Sequence, residues 1–172
     1  LHTLLRGVVS ELQVNIRSSS TWFVILPEKN DALPPIGYGS NITLTSNTIF
    51  NLKKICQSTD LVIFDELEES AEKDLLRQLN IVILMPLRVK EKFLGFLLMR
   101  EKSSGNIYSN QDVNVLEILA PQLSIAIQNA LSYEEISRFN VTLKEEVEKA
   151  TVDLKKANKD LQHLDKIKDE FV

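Results

Sequence analysis

At 172 residues and 44% hydrophobic side chains, the chain suffices for one ordinary domain with one sizeable core, plus an appendage. A formal net charge of -4 gives no sign of a broad phosphate-binding surface, so no nucleic-acid partner is expected. The single cysteine, Cys56, excludes an internal disulfide framework and a multi-cysteine zinc site, and no apolar run reaches the roughly 20 residues that span a bilayer.

Leu4, Leu5, Val8 and Leu12 recur at helical spacing and predict an amphipathic helix over residues 1 to about 15. Thr21 to Leu26 is a continuous apolar run, rich in β-branched and aromatic residues and ended by Pro27, as expected of a strand buried on both faces. Pro34-Pro35 and Gly37-Tyr38-Gly39 mark loops or a short edge strand. Ser46 or Asn47 can cap a helix bearing Ile49, Leu52, Ile55 and Cys56. Leu61 to Phe64 reads as a short strand, and Ser70 can cap a helix carrying Leu75, Leu76 and Leu79. The runs Ile81 to Val89 and Phe93 to Arg100 are separated only by Lys90-Glu91-Lys92, which predicts an antiparallel hairpin. Ser109 and Asp112 then form a capping box for a helix whose apolar residues include Val113, Leu116, Leu119, Leu123 and Ile127. Pro121 inside it deprives the Glu117 carbonyl of its donor and predicts a kink.

The chain changes character near Tyr133. From Glu134 onward 18 of 39 residues are charged, against 26 of the first 133, and every glycine and proline lies at or before Pro121. The expected division is therefore a compact domain over 1–133 and a helical segment over 134–172. In that segment the apolar period tightens to 3.5 residues. Positions a are Tyr133, Asn140, Val147, Leu154, Leu161 and Lys168; positions d are Ile136, Leu143, Ala150, Ala157, Leu164 and Phe171. A sustained 3.5 repeat requires a partner helix to cover its seam, so a parallel coiled-coil homodimer is expected. Asn140 and Lys168 at a positions favour two strands, while the small Ala150 and Ala157 weaken the seam toward one suited to switching. The pattern breaks off at Val172 with no helix-ending residue, which reads as a segment of a longer protein.

Two stretches carry a family resemblance. Pro86-Leu87, Gly95-Phe96-Leu97, Tyr108-Ser109, Asp112, Leu116, Ala120, Gln122-Leu123, Ala126-Ile127 and Asn129-Ala130 resemble the C-terminal half of a GAF domain. The tail, from Leu143-Lys144-Glu145-Glu146-Val147 to Lys168-Asp169-Glu170-Phe171-Val172, resembles the helix that leads into the phosphoacceptor box of a bacterial sensor histidine kinase. The resemblance implies an α+β GAF fold: an antiparallel sheet of about five or six strands, flanking helices, and a long C-terminal coiled-coil helix. It also implies a cytoplasmic regulatory module, in a longer protein that could be membrane-anchored. That protein would use ATP and Mg to phosphorylate its own histidine and pass the group to a response regulator. This chain itself would hold no catalytic residue, metal or cofactor. The alternative is a ligand-binding or dimerisation GAF module that drives another output domain, such as a cyclase.

A small-molecule pocket, its ligand unspecified, would lie, if the domain uses one, between the sheet and the helices of residues 47 to 79, with Phe50, Ile55, Phe64, Leu67, Leu75 and Met85 as lining candidates; the alternative is that these side chains only fill the core. The dimer interface is expected at Tyr133, Ile136, Asn140, Leu143, Val147, Ala150, Leu154, Ala157, Leu161 and Leu164. His163 falls at the outward c position between Gln162 and Leu164, so it does not match the family's acceptor. Cys56 is followed by Gln57 rather than the histidine of bilin-binding GAF domains. Phe64-Asp65-Glu66 matches only half of the cyclic-nucleotide signature, since Val62-Ile63 precede it. Gly37-Tyr38-Gly39 is too short for a phosphate loop.

Overall fold

A computed structural model describes residues 1–26, 33–57 and 59–170, with no side-chain account of 168–170. Helix α1 (His2–Ile16) buries Leu5, Val9, Leu12 and Ile16. The spacing is helical as expected, but the stripe is rotated: Leu4 is exposed and Val8 half-buried. The helix stops at Arg17, which turns left-handed (φ 61°) and donates its N–H to the Gln13 carbonyl.

Strand β1 (Thr21–Ile25) is buried at every position, as its composition requires, and Pro27 lies outside the described residues. Strand β2 (Ile36–Tyr38) takes the edge-strand option. Helix α2 (Ser46–Ile55) is capped by Thr45, one residue earlier than expected. Thr45 is extended and its hydroxyl accepts the Thr48 N–H at 3.2 Å, an acceptor position that Ser46 and Asn47 give up by being helical themselves. Strand β3 (Val62–Ile63) is shorter than expected, because Phe64–Glu66 curls into a 3-10 turn. Helix α3 (Ala71–Leu79) has the anticipated cap, the Ser70 hydroxyl accepting the Lys73 N–H at 3.2 Å. Strands β4 (Ile83–Val89) and β5 (Lys92–Met99) form the predicted hairpin, turning through Lys90-Glu91 with Lys90 at φ 55°.

The five strands form one antiparallel sheet in the order β2-β1-β5-β4-β3, within the expected count. Period-two alternation divides its side chains between two cores. On one face Phe23, Ile83, Met85, Leu87, Leu97 and Met99 pack with α1 and with Leu116, Leu123 and Ile127 of the last helix. On the other, Trp22, Val24, Leu84, Phe96 and Leu98 pack with Leu52 and Cys56 beside α2 and with Leu76 of α3. Burying side chains of this size is worth about 1.5–3 kcal/mol each, which explains why the continuous apolar runs became the three central strands.

Helix α4 (Asn110–Glu170) is the longest element. The capping box forms as expected: Asp112 N–H donates to the Ser109 hydroxyl at 3.3 Å and Ser109 N–H donates to the Asp112 carboxylate at 2.7 Å. The helix continues through Pro121 rather than ending there. Ser124, three residues on, gives its hydroxyl to the Ala120 carbonyl at 2.8 Å and accepts the Arg88 N–H at 3.0 Å, which fastens the helix to β4. By its internal contacts the chain divides into Leu1–Leu131 and Ser132–Val172, the second unit comprising the later part of α4. Among the described residues no helix is long and apolar enough to cross a membrane.

Candidate functional site

The helices α2 and α3 enclose a cleft of about 420 Å³. Ile55, Ala71 and Leu75 supply its apolar wall, and Asn51, Lys54, Glu72, Asp74 and Gln78 its polar one. One ammonium against two carboxylates and two carboxamides can orient a polar ligand, but the set holds no nucleophile paired with a base.

Of the six predicted lining residues, only Ile55 and Leu75 face this cleft. Phe64 and Leu67 pack against the same core from its rim. The Phe64 ring lies under two cations, Lys73 at 5.2 Å and Arg77 at 5.6 Å, and Lys73 also donates to the Leu67 carbonyl at 2.7 Å. Phe50 is 66% exposed, because the buried stripe of α2 runs through Ile49, Leu52 and Cys56, and Phe50 lies about 100° from its neighbour Ile49 on the helix. Met85 is fully buried on the opposite face of the sheet, with α1 and α4. The strand residue that faces the α2–α3 side is its neighbour Leu84.

Two arginines escaped the sequence reading. Arg88 donates to the Thr59 carbonyl at 3.2 Å, beside the Cys56 end of α2. Arg100 stacks on the Trp22 indole at 5.1 Å, reaches the Leu79 carbonyl at the end of α3 and bonds the Ser40 hydroxyl. Each keeps a buried Nε with no hydrogen-bond partner in the structure. Their signal in the sequence is a charge at the C-terminal end of each hairpin strand, a position that also fits a solvated strand terminus.

Cys56 is buried, and desolvation pushes its thiol up to about 12, with the nearby Arg88 charge opposing. The thiol is therefore neutral at pH 7 and shielded. Alkylation by iodoacetamide at pH 8 should be at least about 100-fold slower than in the urea-unfolded chain, because only thiolate reacts. The linkage has a definite sign. Below the ordinary thiol value both states hold the proton; above it the unfolded chain ionises first, so stability should fall as pH climbs from 9 toward 12. Chemical denaturation across that range, compared with Cys56→Ala, checks this.

The other tempting groups are placed plainly. His163 is an exposed residue of α4. Among the described residues no group of three or more His, Cys, Asp and Glu side chains could hold a metal ion.

The family model for the GAF domain matches residues 20–129, from the start of β1 into the first third of α4. The chain belongs to the GAF domain family. No curated protein matches it. Solved GAF domains share its fold. The GAF domain of a two-component sensor histidine kinase from Bacillus halodurans is 19% identical, with a TM-score of 0.52 over 78% of this chain and 97% of that one. The phycocyanobilin-bound GAF domain of a cyanobacterial phytochrome is 11% identical, with a TM-score of 0.55 over 76% of this chain and 86% of that one. A GAF domain/HD domain protein from Geobacter sulfurreducens is 11% identical, with a TM-score of 0.54 over 74% and 92%. At these identities the likeness is one of fold.

Proposed function

We propose that the chain is the cytoplasmic regulatory module of a sensor histidine kinase, with a GAF sensor over 1–133 and a signalling coiled coil over 134–172. The observation that carries this reading is α4. One continuous helix supplies Leu116, Leu123 and Ile127 to the GAF core and bears the heptad seam from Tyr133 to Leu164. A shift of that helix in the core is then a rotation or register change in a dimeric coiled coil, whose packed seams have discrete alternatives. The effect is bounded by the difference in affinity of the signal for the two states. The tail that ends Lys168-Asp169-Glu170-Phe171-Val172 directs the output toward a kinase, with ATP and Mg as its cofactors and a response regulator as its partner.

The natural protein containing this segment, incubated with labelled ATP and Mg, is expected to acquire acid-labile phosphate on a histidine shortly beyond Val172. A protein that gains no phosphohistidine, or whose next residues enter a cyclase, would overturn the kinase assignment while leaving the GAF fold intact.

A further inference from the structure

Three segments meet where α4 begins. The end of α1 and the segment after β5 are joined by main-chain bonds: Ser19 N–H donates to the Glu101 carbonyl and Ser103 N–H to the Arg17 carbonyl, both at 2.8 Å. Between those bonds Ser18 and Lys102 form an isolated antiparallel bridge. The Lys102 ammonium then reaches the other way, to the Asp112 carboxylate at 2.5 Å, in the first turn of α4. That same carboxylate oxygen accepts both the Ser109 N–H and the Ser109 hydroxyl at 2.7 Å. Lys102 thus sits between two main-chain bonds to the segment that follows α1, and its side chain reaches α4.

A capping box alone needs no cation. Here the lysine side chain is only 17% exposed and the aspartate 15%, with the ammonium 5.5 Å from the Tyr108 ring centroid. The phenol of Tyr108 in turn donates to the Arg100 carbonyl. Burial works to raise Asp112, but the donors from Lys102 and Ser109 outweigh it and hold the carboxyl below the usual range. Desolvating such a pair recovers little net stability, so its best-supported use is to fix register between the parts it joins.

We propose that the Lys102–Asp112 pair is a coupling clamp that passes displacement of the α1 end and of β5 to the first turn of α4. It rests on the relay reading above and names the entry point of the helix movement. The clamp predicts two things about the amides of residues 110–118. Cutting it frees them, and once it is cut, disturbing the α1 end no longer reaches them.

Hydrogen exchange on the whole chain tests both. Lys102→Met keeps the stem and removes the charge. It should speed exchange over 110–118 by about tenfold and leave β1 and β5 protected, while Lys102→Arg restores the protection. Ser18→Ala, which deletes the 2.7 Å bond from the Ser18 hydroxyl to the Ser20 carbonyl, should also speed exchange over 110–118 in the wild-type background and add nothing to Lys102→Met. Additive effects, or unchanged exchange in Lys102→Met, would overturn the clamp. If Lys102→Met melts the whole domain, Asp112→Asn, which keeps an oxygen acceptor for Ser109, carries the same comparison. Because exchange is read on this chain alone, its outcome is independent of whether phosphohistidine forms.

Discussion

Gly95→Ala should lose about 3 kcal/mol or more and lower the melting temperature by about 10 °C or more, among the largest losses open to a single methyl group here. Gly95 lies mid-strand in β5 with φ 150°, where a side chain is strained, and a Cβ built on it would stand 2.0 Å from the Val24 carbonyl oxygen. That oxygen belongs to the backbone of central strand β1 and cannot swing aside. The strain has a purpose visible in the register. Leu87 pairs with Gly95 but Arg88 pairs with Phe93, so Leu94 is an extra residue and the ladder bulges. Strict alternation would put Leu94 and Phe96 on one face; instead Leu94 joins the α1–α4 core and Phe96 the α2–α3 core. Gly95 absorbs the change of phase. Two other glycines separate its two costs. Gly105, at φ 73° with open space around it, should lose only about 1 kcal/mol on Gly105→Ala. Gly7, helical and equally open, should gain up to about 1 kcal/mol on Gly7→Ala. Thermal melts of the three variants decide it; a Gly95→Ala protein as stable as wild type would refute the bulge argument.

The same bulge shows where the sequence stopped being informative. Long apolar runs and capping residues are local signals, and they located β1, the β4–β5 hairpin, the Ser70 cap and the Ser109–Asp112 box. Which face a residue takes is a question of phase, and a phase error flips every later assignment. Met85 is expected on the pocket side, but β4 alternates cleanly and places Leu84 there instead. Phe50 shows the same limit on a helix. The helical spacing of Ile49, Leu52 and Cys56 is legible in the sequence and leaves Phe50 off the buried stripe. Arg88 and Arg100 could not be read at all, because their partners, the Thr59 and Leu79 carbonyls, are main-chain groups brought near only by the packing of α2 and α3 on the sheet.

If the proposed coiled-coil dimer forms, replacing Leu154 or Leu161 by glutamate should turn it into a monomer across the micromolar range, whereas Val152→Glu should leave it paired. Tyr133, Ile136, Val147, Leu154, Leu161 and Leu164 are 58–76% exposed in a single chain, and Leu143 is 45% exposed. Water contact at every apolar a and d position is costly, and the proposed second copy of the helix would remove it by knobs-into-holes packing. Phe171 and the Lys168 side chain lie outside the described residues, so the seam is argued from Tyr133 to Leu164. Burying a leucine is worth about 1.5–3 kcal/mol and a dimer buries two per position, so one buried glutamate pair should weaken association by at least about 100-fold. Val152 is 59% exposed but falls at f, outside the seam. It distinguishes heptad pairing from unspecific adhesion of an apolar helix, which Val152→Glu would weaken equally. Asn140→Ile reads the switching character of the same seam. It removes the polar a residue that would fix register, and should tighten the proposed dimer while locking the output of the proposed kinase in one state. Analytical ultracentrifugation of the four variants measures the association. A wild-type chain that stays monomeric at high micromolar concentration would remove the coiled coil from the proposed relay. A dimer tightened by Asn140→Ile with kinase output unchanged would make the coiled coil a structural tether rather than a conductor of the signal.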